Sequence, residues 1–167
     1  GDYGTILRTT DGGDTWQPRP AGSTGSFDAS CFLDENYGWV VEWGDNGIIY
    51  RTTDGGQSWT ALPAINYYIN AVWFESENLG WAGSDDGTLF KTTNGGQSWT
   101  QLSLPTSYNI GELFFLNETT GFALTGYGPV FKTTDGGLTW VPKTDNITTN
   151  PSLECISFSG NFGWIGG

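Results

Sequence analysis

The segment RTTDGGDTW, Arg8 to Trp16, returns as RTTDGGQSW (Arg51 to Trp59), KTTNGGQSW (Lys91 to Trp99) and KTTDGGLTW (Lys132 to Trp140), at steps of 43, 40 and 41 residues. A second marker keeps the same period: YGWV (Tyr37 to Val40), LGWA (Leu79 to Ala82), TGFA (Thr120 to Ala123) and FGWI (Phe162 to Ile165). Two markers in phase define a repeat, and a repeat of this length means stacked supersecondary units that share their cores with neighbours.

Each period reads as four short strands. In the second unit, strand A is Ala71–Glu75, strand B is Gly80–Gly83, strand C is Thr88–Thr93 and strand D is Ser98–Leu102. SDDG (Ser84 to Gly87) turns B into C, and NGG turns C into D. Asp or Asn followed by Gly supplies the positive φ that two-residue hairpin turns demand. No segment has helical spacing, and four strands in about 40 residues is the size of a β-propeller blade. The expected fold is all-β, with antiparallel four-stranded blades.

The termini divide one blade. The chain begins with a B–C turn followed by strands C and D, and it ends with strands A and B. The units run roughly 1–28, 29–69, 70–109, 110–151 and 152–167, the first and last being complementary halves. Three arrangements satisfy this: a segment of a larger propeller, two chains completing each other's split blade, or one chain closing on itself or adding end to end. Exposed half-sheets pair readily with a matching edge.

The pattern Ser/Thr-x-Asp-x-Gly-x-Thr/Ser-Trp resembles the Asp box of BNR-type propellers, with Asn94 the one departure at the acidic place. Combined with the GW marker, the blades look most like those of the photosystem II stability/assembly factor-like family. That resemblance implies structural boxes, in which Asp11, Asp54, Asn94 and Asp135 accept hydrogen bonds within the C–D hairpin. Trp16, Trp59, Trp99 and Trp140 then pack beneath the turns. A catalytic or calcium-binding reading of the Asp residues is weaker, because Asn94 cannot act as a carboxylate base. Trp39, Trp81, Phe122 and Trp164 of the second marker are expected in the core, with Trp73.

Composition narrows the function. Six Lys and Arg face eighteen Asp and Glu, a net charge of −12. This argues against a nucleic-acid groove and against an anionic membrane surface. No apolar run spans a bilayer. The absence of His removes His-based catalysis and most zinc sites, so no cofactor or metal is expected. There is no Met, so the chain reads as a processed or excerpted piece.

Several residues remain as site candidates. The D-to-A connections vary most: Gln17–Asp28, Thr60–Asn70, Gln101–Ile110 and Val141–Ser152. They hold Tyr67, Tyr68 and Tyr108 with Asn66, Asn70 and Asn109, a set suited to sugar or protein surfaces. Trp43 stands in an extended stretch before GDNG and is the candidate exposed indole. Glu112 and Glu154 each lie nine residues before a marker Gly, where the other units have Ala29 and Ala71. A carboxylate pair is the minimum for glycoside hydrolysis. Cys31 and Cys155 both fall in an A strand, and closure of the ring would allow a disulfide between them. The sequons at Asn117 and Asn146 match a pattern common by chance in Asn- and Thr-rich chains.

These features favour a non-enzymatic, secreted or cell-surface module for binding, adhesion or assembly, with a protein or carbohydrate partner. Alternatives are a subunit polymerising through its half-blades and a glycan-active enzyme. A sialidase needs clustered Arg, whereas Arg8 and Arg51 fill a repeat slot shared with Lys91 and Lys132. Family members known for the assembly role carry an Arg-rich face, which this acidic chain lacks.

Overall fold

The computed structural model describes residues 3–143 and 153–167. Among these residues the elements are β1 (Leu7–Arg8) and β2 (Gln17–Pro18), then β3 (Phe27–Phe32), β4 (Gly38–Glu42), β5 (Ile49–Thr52) and β6 (Thr60–Ala61). They continue with β7 (Ile69–Phe74), β8 (Gly80–Ser84), β9 (Leu89–Thr92) and β10 (Thr100–Leu102), then β11 (Ile110–Phe115), β12 (Gly121–Thr125), β13 (Val130–Thr133) and β14 (Val141–Lys143). β15 (Cys155–Ser159) and β16 (Phe162–Gly166) complete the chain.

The strands form three complete blades, β3–β6, β7–β10 and β11–β14, each an antiparallel meander. β1–β2 and β15–β16 are separate two-stranded sheets, the last and first halves of a blade. The fold is thus the expected all-β propeller architecture, with one blade split between the termini. The first strands of successive blades pack together, β3 on β7, β7 on β11 and β11 on β15.

Burial follows this stacking. In the complete blades the second strands are covered on both faces, so Gly80–Ser84 is buried at every residue. Outer strands β6 and β14 are exposed throughout. Two main cores sit between blades: one gathers Trp39, Ile49, Ile69, Phe74 and Phe90, the other Trp81, Leu89, Ile110, Phe115 and Trp140. The marker Gly has a steric cause. Gly80 pairs with Phe74 across the strands, and a Cβ there would run into the Phe74 ring.

The C-to-D connection differs from the two-residue turn expected. β5 ends at Thr52 and β6 begins at Thr60, leaving a longer loop that the Asp box folds upon itself. Gly55 and Gly56 hold φ of 70° and 80° within it, a consecutive left-handed pair that side chains disfavour.

Candidate functional site

The four boxes repeat one hydrogen-bond pattern. Ser58 donates its backbone N–H to Asp54 Oδ1 at 2.9 Å and its hydroxyl to Oδ2 at 2.6 Å. Thr52 donates its hydroxyl to Asp54 Oδ1 and accepts the Gly56 N–H. Asp11 with Thr15 and Asp135 with Thr139 repeat this arrangement. In each, the paired hydroxyl and amide donors lower the carboxyl pKa to about 2. Asn94 keeps the acceptor toward the Ser98 N–H and turns its amide around, donating Nδ2 to Ser98 Oγ at 2.9 Å. These carboxylates are saturated by their own loops.

A second repeated unit joins the blades. Trp39 stacks on Phe74 of the next blade, centroids 3.7 Å apart, and directs Nε1 at Gly95 O of that blade's box. Trp81 stacks likewise on Phe115 and donates to Gly136 O at 3.1 Å. Lys91 lies 5.2 Å from the Trp81 ring centroid and donates to the same Gly136 O at 2.8 Å. Arg8 donates to Gly55 O at 2.7 Å. The basic slot of the repeat is therefore a latch onto the following blade. Its strict spacing was visible in the sequence, but its partner carbonyl lies about a full unit away.

This geometry corrects two core expectations. Trp16 is 55% exposed and Trp164 is 62% exposed. A box Trp is covered by the preceding blade, as Trp59 is where its Nε1 reaches Arg19 O. A marker Trp is covered by the following one. Trp16 and Trp164 belong to the half-blades at opposite ends of the stack.

The D-to-A loops and B-to-C turns gather on one face. Asp85 donates its N–H to Tyr68 O, and Gly126 donates to Asn109 O. Trp43, 58% exposed, meets Tyr68 edge-to-face at 5.6 Å. Burial raises the Tyr68 phenol pKa, helped by the negative charges of Asp28, Asp45 and Asp85. Tyr108 is exposed, its ring close to Gly128, and Tyr127 stands exposed in the same turn. The sequence reading missed Tyr127. An aromatic residue before the turn Gly, where GDNG has Asn46 and SDDG has Asp86, was the signal. Tyr67 is half-buried, its ring packed on Phe90 at the edge of the inter-blade core. Residues 144–152, with Asn146 and most of the last loop, lie outside the described residues. Asn117 Oδ1 accepts the N–H groups of Thr119 and Thr120 in a turn.

Beside these loops, the first strands line a cleft of about 280 Å³. Asp28, Asn70 and Gly111 enter it as the extra residues of three equivalent β-bulges, and Glu154 joins them. The bulge aims a side chain that a regular ladder would not. Asn70 Nδ2 is a buried donor without a hydrogen-bond partner.

Glu112 and Glu154 both line this cleft, as expected, but they do not share a position of the repeat. Phe158 pairs with Gly163 as Phe115 does with Gly121, but the intervening turn is one residue shorter. Glu112 thus matches Cys155, and Glu154 matches Gly111. Glu112 also accepts the Ile156 N–H at 2.7 Å, tying β11 to β15. Burial raises its pKa. Cys31 and Cys155 are both free thiols. Cys31 accepts the Phe74 N–H and is raised in pKa by burial, whereas Cys155 is exposed beside Gly166 O. Each thiol thus has its own backbone partner, and no disulfide joins them.

Among the described residues no cluster of His, Cys, Asp and Glu has the makings of a metal site, and no helix is long and apolar enough to cross a membrane.

Comparison with known proteins gives the same architecture. A structure of YCF48 bound to D1 peptide is 29% identical, with a TM-score of 0.62 over 73% of this chain and 41% of that one. YCF48 from Cyanidioschyzon merolae is 17% identical, with a TM-score of 0.51 over 99% and 86%. The GH74 xyloglucanase from Xanthomonas campestris shares the fold at 13% identity, with a TM-score of 0.73 over 93% and 29%. This chain thus spans less than half the length of the YCF48 chain that holds the peptide. The sequence matches no curated protein. The family described as Photosynthesis system II assembly factor YCF48 matches over residues 1–66, 25–109 and 97–167, which together cover the chain. A blade repeat with four Asp boxes, matched from end to end, makes this protein a member of the YCF48 family.

Proposed function

We propose that the chain is a non-enzymatic protein-binding and assembly module, working outside the cell or at its surface, that takes an extended segment of a partner protein on its loop face. The observation that carries this reading is the grouping of exposed Trp43 with Tyr68, among Asp28, Asp45 and Asp85, beside the cleft of the bulges. Flat rings with a polar handle give contact area at low entropic cost, and carboxylates around them select for positive charge. A relative in the family has been seen with a peptide bound. Here the net charge of −12 calls for a basic segment.

The saturated Asp boxes and the engagement of Glu112 with Ile156 support a non-enzymatic role. A carbohydrate partner would use the same Trp43 and Tyr68 rings but would not respond to the carboxylates. A peptide array graded in net charge, run beside a glycan array, tests the reading. Basic peptides should bind, binding should weaken with salt, and Trp43→Ala should cost roughly tenfold or more. Glycan binding without peptide binding would overturn the choice of partner. Hydrolysis of a glycan, abolished by Glu112→Gln with Glu154→Gln, would overturn the non-enzymatic reading.

Self-association is a second reading. It is favoured by the exposure of Leu7, Phe162, Trp164 and Ile165 on the two half-sheets.

A further inference from the structure

Independently of what the loop face binds, we infer that Asn46 is a site of spontaneous deamidation in the B-to-C turn of the blade β3–β6. The chain has six pairs in which Asp or Asn precedes Gly. In such a pair no Cβ shields the Gly nitrogen, which can reach the side-chain carbonyl carbon of the residue before it. Hydrogen bonds that fix that side chain, or occupy that nitrogen, oppose the approach. The box carboxylates of Asp11, Asp54 and Asp135 each accept an amide and a hydroxyl of their own loop. Asp86 accepts the Ser84 hydroxyl at 2.6 Å and the Thr88 N–H at 2.9 Å. The other Asn–Gly pair, at Asn94, is held most completely. Asn94 Oδ1 accepts the Ser98 N–H at 3.0 Å and the Thr92 hydroxyl at 2.9 Å, and Nδ2 donates to Ser98 Oγ. Its attacking nitrogen is also engaged, since Gly95 donates to Asn78 O at 2.9 Å. Asn46 has none of these restraints. It is exposed, and among the described residues its side chain makes no hydrogen bond. The Gly47 N–H turns back toward Gly44 O at 3.4 Å, longer than an ordinary N–H···O bond. Gly47 and Gly95 are both buried, so burial does not separate the two pairs.

The step needs no co-reactant but water. Gly47 N gives up its proton and bonds to Asn46 Cγ. The Cγ–Nδ2 bond breaks, and ammonia leaves with that proton, so that a succinimide ring remains. Water opens the ring at either carbonyl. One opening leaves an aspartyl residue in the normal chain; the other leaves an isoaspartyl residue, in which the chain runs through the former side chain. Nothing is oxidised or reduced. Both products add a negative charge beside Asp45, one of the carboxylates around Tyr68. The isoaspartyl form also inserts a methylene into the main chain at an anchored point. Asn46 O accepts the Asn66 N–H at 2.9 Å, which ties this turn to the loop that carries Tyr67 and Tyr68. The reaction thus changes the charge and the backbone of the loop face next to Trp43 without any enzyme.

The test incubates the full chain at mildly alkaline pH, folded and in urea, and follows both Asn–Gly pairs by peptide mass mapping. An amide exchanged for an acid shifts the peptide mass, and chromatography separates isoaspartyl from aspartyl peptides. In urea the two pairs should convert at similar rates, because each is then simply Asn followed by Gly. In the folded chain position 46 should convert roughly tenfold or more faster than position 94, the factor that one hydrogen bond at the strong end of the usual range commands. The rate at position 46 should rise with pH, since the attacking nitrogen must lose its proton. Asn46→Gln closes the ring poorly and should remove the acidic species from isoelectric focusing. Its position is exposed, so the fold should be kept, which circular dichroism checks. Equal rates at the two positions in the folded chain would overturn the inference. So would an Asn46 that stays intact in the folded chain while both positions convert in urea, or acidic species that persist undiminished in Asn46→Gln.

Discussion

The indole of Trp81 lies flat on the ring of Phe115, at 3.7 Å between centroids and 15° between planes, and each belongs to a different blade. The contact is continued by Trp81 Nε1 to Gly136 O and by Lys91 to the same oxygen. Blade stacking thus depends on one side chain that touches the neighbour's inner strand and its box at once.

Removing that side chain should be costly. Trp81 is fully buried, and Trp81→Ala is expected to destabilise the protein by about 3–5 kcal/mol, the usual cost of emptying a large aromatic site. Trp81→Phe keeps a ring on Phe115, as Phe122 does on Phe158, and loses only the hydrogen bond. Its cost should be about 1–2 kcal/mol. Urea unfolding midpoints measure both, and equal losses would refute the latch.

The Asp boxes set a pH dependence. The carboxyls of Asp11, Asp54 and Asp135 are lowered to about 2 in the folded chain, against about 3.9 for an ordinary Asp. The unfolded chain therefore takes up protons first as pH falls. The stability these groups supply is complete above about pH 4 and declines from there toward about pH 2. Asp54→Asn copies the third box, where Asn94 does not titrate, and should flatten part of this decline. Thermal midpoints of the two proteins over that range test it; parallel curves would count against the assignment.

Glu112 has the opposite sign. Burial raises its pKa, so the folded state favours the protonated form and the ionised side chain weakens the fold at neutral pH. Glu112→Gln keeps an acceptor for the Ile156 N–H and removes the charge. It should raise stability at neutral pH, with the gain shrinking as pH falls through the raised folded value and gone below the ordinary Glu value of about 4.3. A variant less stable at pH 7 than the wild type would contradict this.

The two thiols should react unequally. Cys155 is exposed and should label quickly with a thiol reagent in the native protein. Cys31 is held at the Phe74 backbone, its pKa raised by burial, and should label only on unfolding. A native protein that yields no thiol until reduced would restore the disulfide.

The repeat alone determined a great deal. Its period and the Asp–Gly turns specify short antiparallel strands, because such local choices depend on neighbours close in the chain. The boxes were legible for the same reason, since Thr52, Asp54, Gly56 and Ser58 meet within a single loop. The binding face was legible only in part. Tyr67 and Tyr68 are adjacent in sequence, yet one packs on Phe90 and the other meets Trp43, a division made by the bend at Asn66 and Tyr67. Glu154 was misaligned because a turn one residue shorter leaves no mark on the spacing until the strands pair. Trp164 and Trp39 occupy the same place in the repeat, and only the stacking of blades decided that Trp39 is buried while Trp164 faces water. Burial in a repeat protein is completed by the neighbouring unit, so a local pattern specifies the blade while the tertiary arrangement decides which of its surfaces are covered.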